Sequence, residues 1–332
     1  MRIAACGYYG MGNFGDELFL LTYRQQLAGH EVFAWHPSFD PAAVDAVLIG
    51  GGDLIVPYSF ASYYFPSVLQ AKPTWVFGVG IVDAYPEATW PEREVDRYRR
   101  RLSGAHGIWL RDERSAAIAE RIRLHSRIRT IPDPVFAYRG ASLPIRPFST
   151  RPSLGVCVHA YSGFPLESLG ATLGRLSAEG FHILLLPAVN HSANIYADYG
   201  VCTALLDRIL REPGASATVF KPEYELELIY AAIQRCDFLL SFKLHPTLAA
   251  LRGGVPAFCV SKQGKVKSLL SRFGLEDFLE PDESAAGRIE AGLRRLLAEG
   301  KTRLQAAAPL LRQTEREAEA AFAELRREIE AE

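Results

Sequence analysis

Basic side chains and a histidine crowd one stretch of this sequence. In Leu239–Pro246, LLSFKLHP, Ser241 closes an apolar run, and Lys243 and His245 follow it. Lys262, Lys265 and Lys267 follow the next apolar run, Ala257–Val260. Open α/β sheets bind ligands beyond the carboxyl ends of their strands. If these two runs are adjacent parallel strands, their ends bring the cations together as an anion pocket. A histidine there serves as general acid or base. The plainer alternatives are a satisfied structural histidine and solvated lysines. Lys267 is assigned to the second, and Lys262 in part. His159 and His191 also follow apolar runs and are secondary candidates.

The first half offers carboxylates and glycines instead. The segment Cys6–Glu17, CGYYGMGNFGDE, lies between an apolar run and a helical pattern. Its glycines, Gly12 among them, permit tight turns and close backbone approach. Asn13, Asp16 and Glu17 sit near the helix start. The letters from Gly10 to Gly15 match G-x-G-x-x-G, a weak signal alone. Two acidic residues at a helix start also repel the pyrophosphate that this motif holds. Asp16 and Glu17 therefore either cap the helix or grip sugar hydroxyls, one of them as general base. Gly51 and Gly52, in LIGGGD, mark either a close ligand approach or a simple turn.

Arg111 stands directly after a strand-like run. It is placed to clamp a carboxylate or phosphate bidentately, or to pair with Asp112 or Asp133. Ser115 is the candidate cap of the next helix. Asp133, between two prolines, is a rigid hydrogen-bond acceptor or part of a structural turn.

Short apolar runs alternating with helical patterns position these residues, the signature of parallel strands with crossovers. Strands are expected at residues 2–6, 31–35, 46–49, 74–77, 107–110 and 128–131, then at 154–158, 182–186, 217–220, 238–241 and 257–260. Helices are expected at 16–27, 93–103, 115–123, 166–178, 199–210, 225–234 and 247–252, with a helical tail over 283–332. The proline-bearing stretch 137–152 interrupts the alternation and reads as a linker. The expected domains are 1–148 and 149–332, both Rossmann-like.

The 332 residues are enough for two such domains. Lysine plus arginine (37) nearly cancels aspartate plus glutamate (38), so no global basic field suits nucleic acid. The five cysteines are scattered, without a C-x-x-C pair, and read as buried thiols rather than a metal site. The N-terminus lacks a leader-like apolar segment, and no apolar run spans a bilayer. A cytoplasmic protein is expected, visiting at most the inner face of the membrane.

Together these pieces resemble the polysaccharide pyruvyl transferase family. The resemblance rests on GYYGMGNFGDE at Gly7–Glu17, GGG at Gly50–Gly52, LRDERS at Leu110–Ser115, DPVF at Asp133–Phe136, SFKLHPTLAALRGGVPAF at Ser241–Phe258, and Lys265. It implies two Rossmann-like domains in a GT-B-like arrangement with a cleft between them, residues 1–148 on the acceptor side and 149–332 on the donor side. It further implies transfer of a pyruvyl group from phosphoenolpyruvate to two hydroxyls of a sugar, forming a cyclic ketal in a cell-wall or other cell-surface polysaccharide precursor. The sugar acceptor is either free or lipid-linked.

Under that reading His245 and Lys265, with Asp16 and Asp133, form the catalytic set. Arg111, Lys243, Lys262, Ser241, Asn13, Glu17, Gly12, Gly51 and Gly52 bind substrate. No cofactor or metal is expected beyond phosphoenolpyruvate as co-substrate. The sequence departs from the family where Lys243 replaces an arginine and where His159 stands for another. A nucleotide-sugar glycosyltransferase and a non-catalytic glycan-binding relative are the alternatives.

Overall fold

Runs too short and apolar for helices become parallel strands, the central ones buried on both faces. In the first half these are β1 (Arg2–Cys6), β2 (Glu31–Ala34), β3 (Ala46–Gly50), β4 (Thr74–Val79), β5 (Ile108–Leu110) and β6 (Ile128–Thr130). All pair in parallel, in the order β2-β1-β3-β4-β5-β6. The crossovers include helices α1 (Phe14–Gln26), α2 (Glu92–Leu102) and α3 (Glu113–Arg121). Every residue of β3 is buried. Each Val, Leu or Ile so buried contributes about 1.5–3 kcal/mol, which explains the unbroken apolar run.

The second half is again a six-stranded parallel sheet, with a different strand order. Its strands are β7 (Ser153–Cys157), β8 (His182–Leu185), β9 (Ser216–Val219), β10 (Phe238–Ser241), β11 (Ala257–Val260) and the two-residue β12 (Leu279–Glu280), which sequence periodicity does not reveal. Their order is β12-β11-β10-β7-β8-β9, again parallel. The helices are α4 (Leu166–Ala178), α5 (Tyr199–Ile209), α6 (Leu226–Arg235), α7 (Leu244–Arg252), α8 (Gly264–Arg272) and α9 (Ala286–Glu330). Two differences from expectation matter for the site. Helix α7 begins at Leu244, so His245 lies in its first turn. The stretch after β11, expected as a basic loop, includes α8 and puts Lys265 in the first turn of that helix.

This computed structural model describes all residues except 83, 84, 141, 142, 144, 162, 191–196 and 221–224. His191 therefore lies outside the described residues. The chain forms two compact units. One comprises Met1–Gly10, Gly15–Arg139 and Thr314–Glu332; the other comprises Met11–Phe14 and Gly140–Gln313. Against a division at 148/149, the cut falls at 139/140, Met11–Phe14 joins the second unit, and α9 from Thr314 onward joins the first. Within the first unit, Phe322 near the end of α9 packs on Tyr23 and Phe77, with ring centroids 6.0 and 4.8 Å away. Glu328 accepts a 2.9 Å hydrogen bond from the Trp75 indole, and Glu324 pairs with Arg129. All five cysteines are free and buried. Among the described residues no helix is long and apolar enough to cross a membrane.

Candidate active site

At the carboxyl edge of the second sheet, adjacent strands deliver the basic residues in order. β11 leads to Lys265, β10 to Lys243 and His245, and β7 to His159. The turn after β10 is fixed by Ser241. Its hydroxyl accepts from the Lys243 amide at 3.1 Å and donates to the Lys243 carbonyl at 2.8 Å. Ser241 is fully buried, so this expected ligand contact is part of the turn that aims its neighbours. Thr247 closes the same turn, donating to the Lys243 carbonyl at 2.8 Å.

Lys243 is not an unopposed cation. Its Nζ lies 2.9 Å from the Asp198 carboxylate, which is 0% exposed. Asp198 also accepts the backbone amides of Ala160 and Ala188, each at 3.1 Å. One carboxylate thus ties together the chain following β7, β8 and β10. Burial pushes its pKa up, against the Lys243 charge and the amide bonds that favour ionisation. Sequence reading missed Asp198. It precedes α5 as an ordinary capping residue would, yet its side chain makes no cap.

His159 is half-buried, and its pKa is lowered to about 4 by burial and then by the Lys243 and Lys265 charges. The imidazole is therefore neutral at pH 7, and both lysine fields reach it. Lys265 is half-buried and Lys262 is exposed. Neither α7 nor α8 has an acidic residue in its first turn. Their unopposed amide ends add positive potential where the cations gather. The second unit also takes in Gly12 and Asn13 of the glycine-rich segment. Gly12 has φ 64°, and its carbonyl accepts from Asn190 at 3.1 Å. Asn13 bridges Val189 in antiparallel fashion.

The first sheet's carboxyl edge has the opposite character. Arg111, just past β5, has a side chain only 2% exposed. Its Nη2 bonds to Asp53, and its Nη1 lies 3.6 Å from Asp133. Burial works against its charge, but the carboxylates of Asp53, Asp133, Asp112 and Asp16 outweigh it and raise its pKa. The fork faces carboxylates of its own unit, and of the two pairings weighed from sequence the one with Asp133 is present, while its Nε and Nη1 are buried without a hydrogen bond among the described residues. Asp112 instead caps α3, accepting from the Ser115 amide at 2.7 Å. Ser115 is not the cap, since its hydroxyl receives the Ile81 amide at 3.0 Å. Asp133 accepts from the Val135 amide at 3.0 Å, a structural turn as well as an ion pair.

Asp16 is buried in the first turn of α1, and Glu17 beside it accepts from the Gly10 amide at 2.6 Å. Glycine at 51 and 52 answers to the protein itself. Both have φ near +85 to +89°, and a Cβ at 52 would stand 2.7 Å from the Asp16 carboxylate. Asp53, the second residue missed, directly follows that triplet at a strand end, which was its only signal. Asp16, Asp53 and Asp133 thus gather around one arginine.

Comparison with known proteins follows this geometry. A family model described as polysaccharide pyruvyl transferase matches residues 13–263, most of the chain. A search of curated proteins gives no significant match. Among solved structures, a sucrose-phosphate synthase from Thermosynechococcus elongatus is similar at TM-score 0.62 and 12% identity, covering 100% of this chain and 99% of that one. The UDP-GlcNAc 2-epimerase from Neisseria meningitidis, bound to UDP-GlcNAc, is similar at TM-score 0.60 and 11% identity, covering 98% and 99%. Anabaena HepE in complex with UDP-glucose is similar at TM-score 0.60 and 10% identity, with the same coverage. At such identities the likeness shows the fold alone, the GT-B-like α/β class expected from the sequence.

Proposed function

The chain belongs to the polysaccharide pyruvyl transferase family, and on that premise we propose that it moves the pyruvyl group of phosphoenolpyruvate onto two hydroxyls of one sugar. The observation that carries this reading is the second unit's basic edge: Lys265, His245, His159 and two helix N-termini beyond the adjacent strands β11, β10 and β7. A small dianionic or trianionic donor suits it. The carboxylate and phosphate take Lys265 and the helix amides, at about 1.5–3 kcal/mol for each charge-assisted bond. Lys243, paired with Asp198, also positions the loops.

His245 is the general acid that protonates the methylene carbon, leaving cationic character at the carbon that bears phosphate. A sugar hydroxyl bonds to that carbon, and the C–O bond to phosphate breaks. A second hydroxyl of the same sugar closes the ketal. Two hydroxyl protons are released; one balances the proton taken up by carbon and the other leaves with phosphate. The first unit's carboxylates are acceptors for sugar hydroxyls, with Asp16 the candidate base because Asp133 is held by Arg111 and Val135. The product belongs to a cell-surface polysaccharide precursor made in the cytoplasm.

A nucleotide-sugar donor is the second reading. It is favoured by whole-length fold likeness to proteins crystallised with UDP-sugars. Against it, the segment Ser261–Lys267 is basic and lacks a carboxylate to hold a ribose. Calorimetry decides between them. Phosphoenolpyruvate is expected to bind the wild type, to bind Lys265→Ala about tenfold or more weakly, and to bind Asp16→Asn unchanged. Binding of UDP-glucose or UDP-GlcNAc without phosphoenolpyruvate overturns the pyruvyl reading.

A further inference from the structure

The first unit also holds a groove of about 780 Å³ that shares no lining residue with its carboxylate cluster. Trp35, Phe60 and Phe65 line it, and α2 contributes Arg97, Arg100 and Arg101. Those arginines fall at i, i+3 and i+4, on one helix face. Arg97 lies over the Phe60 ring, 4.5 Å from its centroid, and is paired with Glu94 at 3.0 Å. Arg101 donates to Gln70. Neither Arg100 nor Arg101 has a carboxylate partner among the described residues.

The surroundings of this groove are unusually apolar. Val68, in its lining, is 61% exposed. Phe39 is 46% exposed and packs against Trp35, with ring centroids 6.3 Å apart. Tyr63, beside the lining residue Ser62, is 42% exposed. These are three of the eight large apolar side chains exposed among the described residues. Large apolar side chains left exposed beside a groove point to an interaction site.

We propose that this face docks on a membrane containing anionic phospholipid, with a lipid phosphate on Arg100 and Arg101 at the groove. Phe39, Tyr63 and Val68 enter the interfacial layer. Charge complementarity selects this occupant. A soluble anion leaves the three exposed apolar side chains in water, and a wholly apolar partner leaves two arginines unpaired. A phosphate carried at the boundary of an apolar layer satisfies both. The inference does not depend on the donor assigned above.

Co-sedimentation of the full chain with phosphatidylcholine vesicles, with and without phosphatidylglycerol, tests it. Binding is expected only with phosphatidylglycerol present. Each arginine near such a surface is worth about fivefold in affinity, so R100Q/R101Q is expected to bind roughly twentyfold more weakly. Val68→Asp, at an exposed position, is expected to weaken binding while leaving the thermal unfolding midpoint unchanged. Equal binding to both vesicle types overturns the proposal. So does wild-type binding by R100Q/R101Q. Wild-type binding by Val68→Asp also overturns it, because the surface would then recognise any polyanion.

Discussion

In the first unit one arginine is buried among carboxylates, Asp53 and Asp133. In the second, one carboxylate, Asp198, is buried against a lysine, with His159, His245 and Lys265 beyond the neighbouring strands. Both scaffolds are six-stranded parallel sheets whose carboxyl edges carry the loops, though their strand orders differ. The electrostatic result is opposite. The first edge gathers acceptor oxygens around its arginine. The second gathers lysines and histidines around its carboxylate. The buried counter-charge in the second unit ties loops together. A parallel sheet therefore says nothing by itself about which substrate its edge takes; the loop residues decide it.

The comparison breaks most visibly at His245. If the basic edge activates the donor, His245→Ala is expected to lower kcat by about 10²–10⁴, read as phosphate release with acceptor present. Phosphoenolpyruvate affinity stays near wild type, because the helix amides and Lys265 remain. Near-wild-type turnover in this variant removes the acid from the second unit and with it the functional asymmetry.

Stability sharpens the comparison next. Arg111→Met removes the buried charge that Asp53 and Asp133 share, and removing one partner of a buried ion pair costs about 3–5 kcal/mol. Lys243→Met leaves one carboxylate, still held by the Ala160 and Ala188 amides and already raised in pKa by burial. That group escapes by taking up a proton, so the second variant is expected to lose less. Urea unfolding of both variants at pH 7 checks the order. Equal losses, or a larger one for Lys243→Met, would show that the two counter-charges are not comparable devices.

Much of this was legible in the chain, and the failures have physical causes. The central strands announce themselves because they are buried on both faces and read as plain apolar runs, and the expected bounds of β10 and β11 match the structure to the residue. Helix α8 did not, since GKVKSLLSR opens with glycine and lysines that also suit a loop, and only packing of Val266, Leu269 and Leu270 makes it helical. Arg111 was rightly picked out as a strand-end charge. Its partner Asp53 lies 58 residues away, and no local pattern encodes that pairing. Asp198 was hidden for the same reason: its role is set by Ala160, Ala188 and Lys243, brought together only by the order of β7, β8 and β10. Residue type marked which groups were charged, and topology decided which charges were spent on one another.

The smallest effect, and the most direct reading of the second edge's field, is the titration of His159. Burial and then the Lys243 and Lys265 charges hold its pKa near 4, against 6.5 for an unperturbed imidazole. Between those values the unfolded chain binds the proton and the folded one does not. Stability from this group is therefore full above about pH 6.5 and is lost as the pH falls toward 4. Removing a positive neighbour moves the folded value up, so Lys265→Ala is expected to raise it and narrow the window, whereas Asp16→Asn in the first unit leaves it in place. Following the imidazole ring protons by NMR from pH 3.5 to 8 measures both. A wild-type value near 6.5, or one indifferent to Lys265, would mean that the lysine charges do not converge at the end of β7, and the contrast between an acidic and a basic edge would lose its second half.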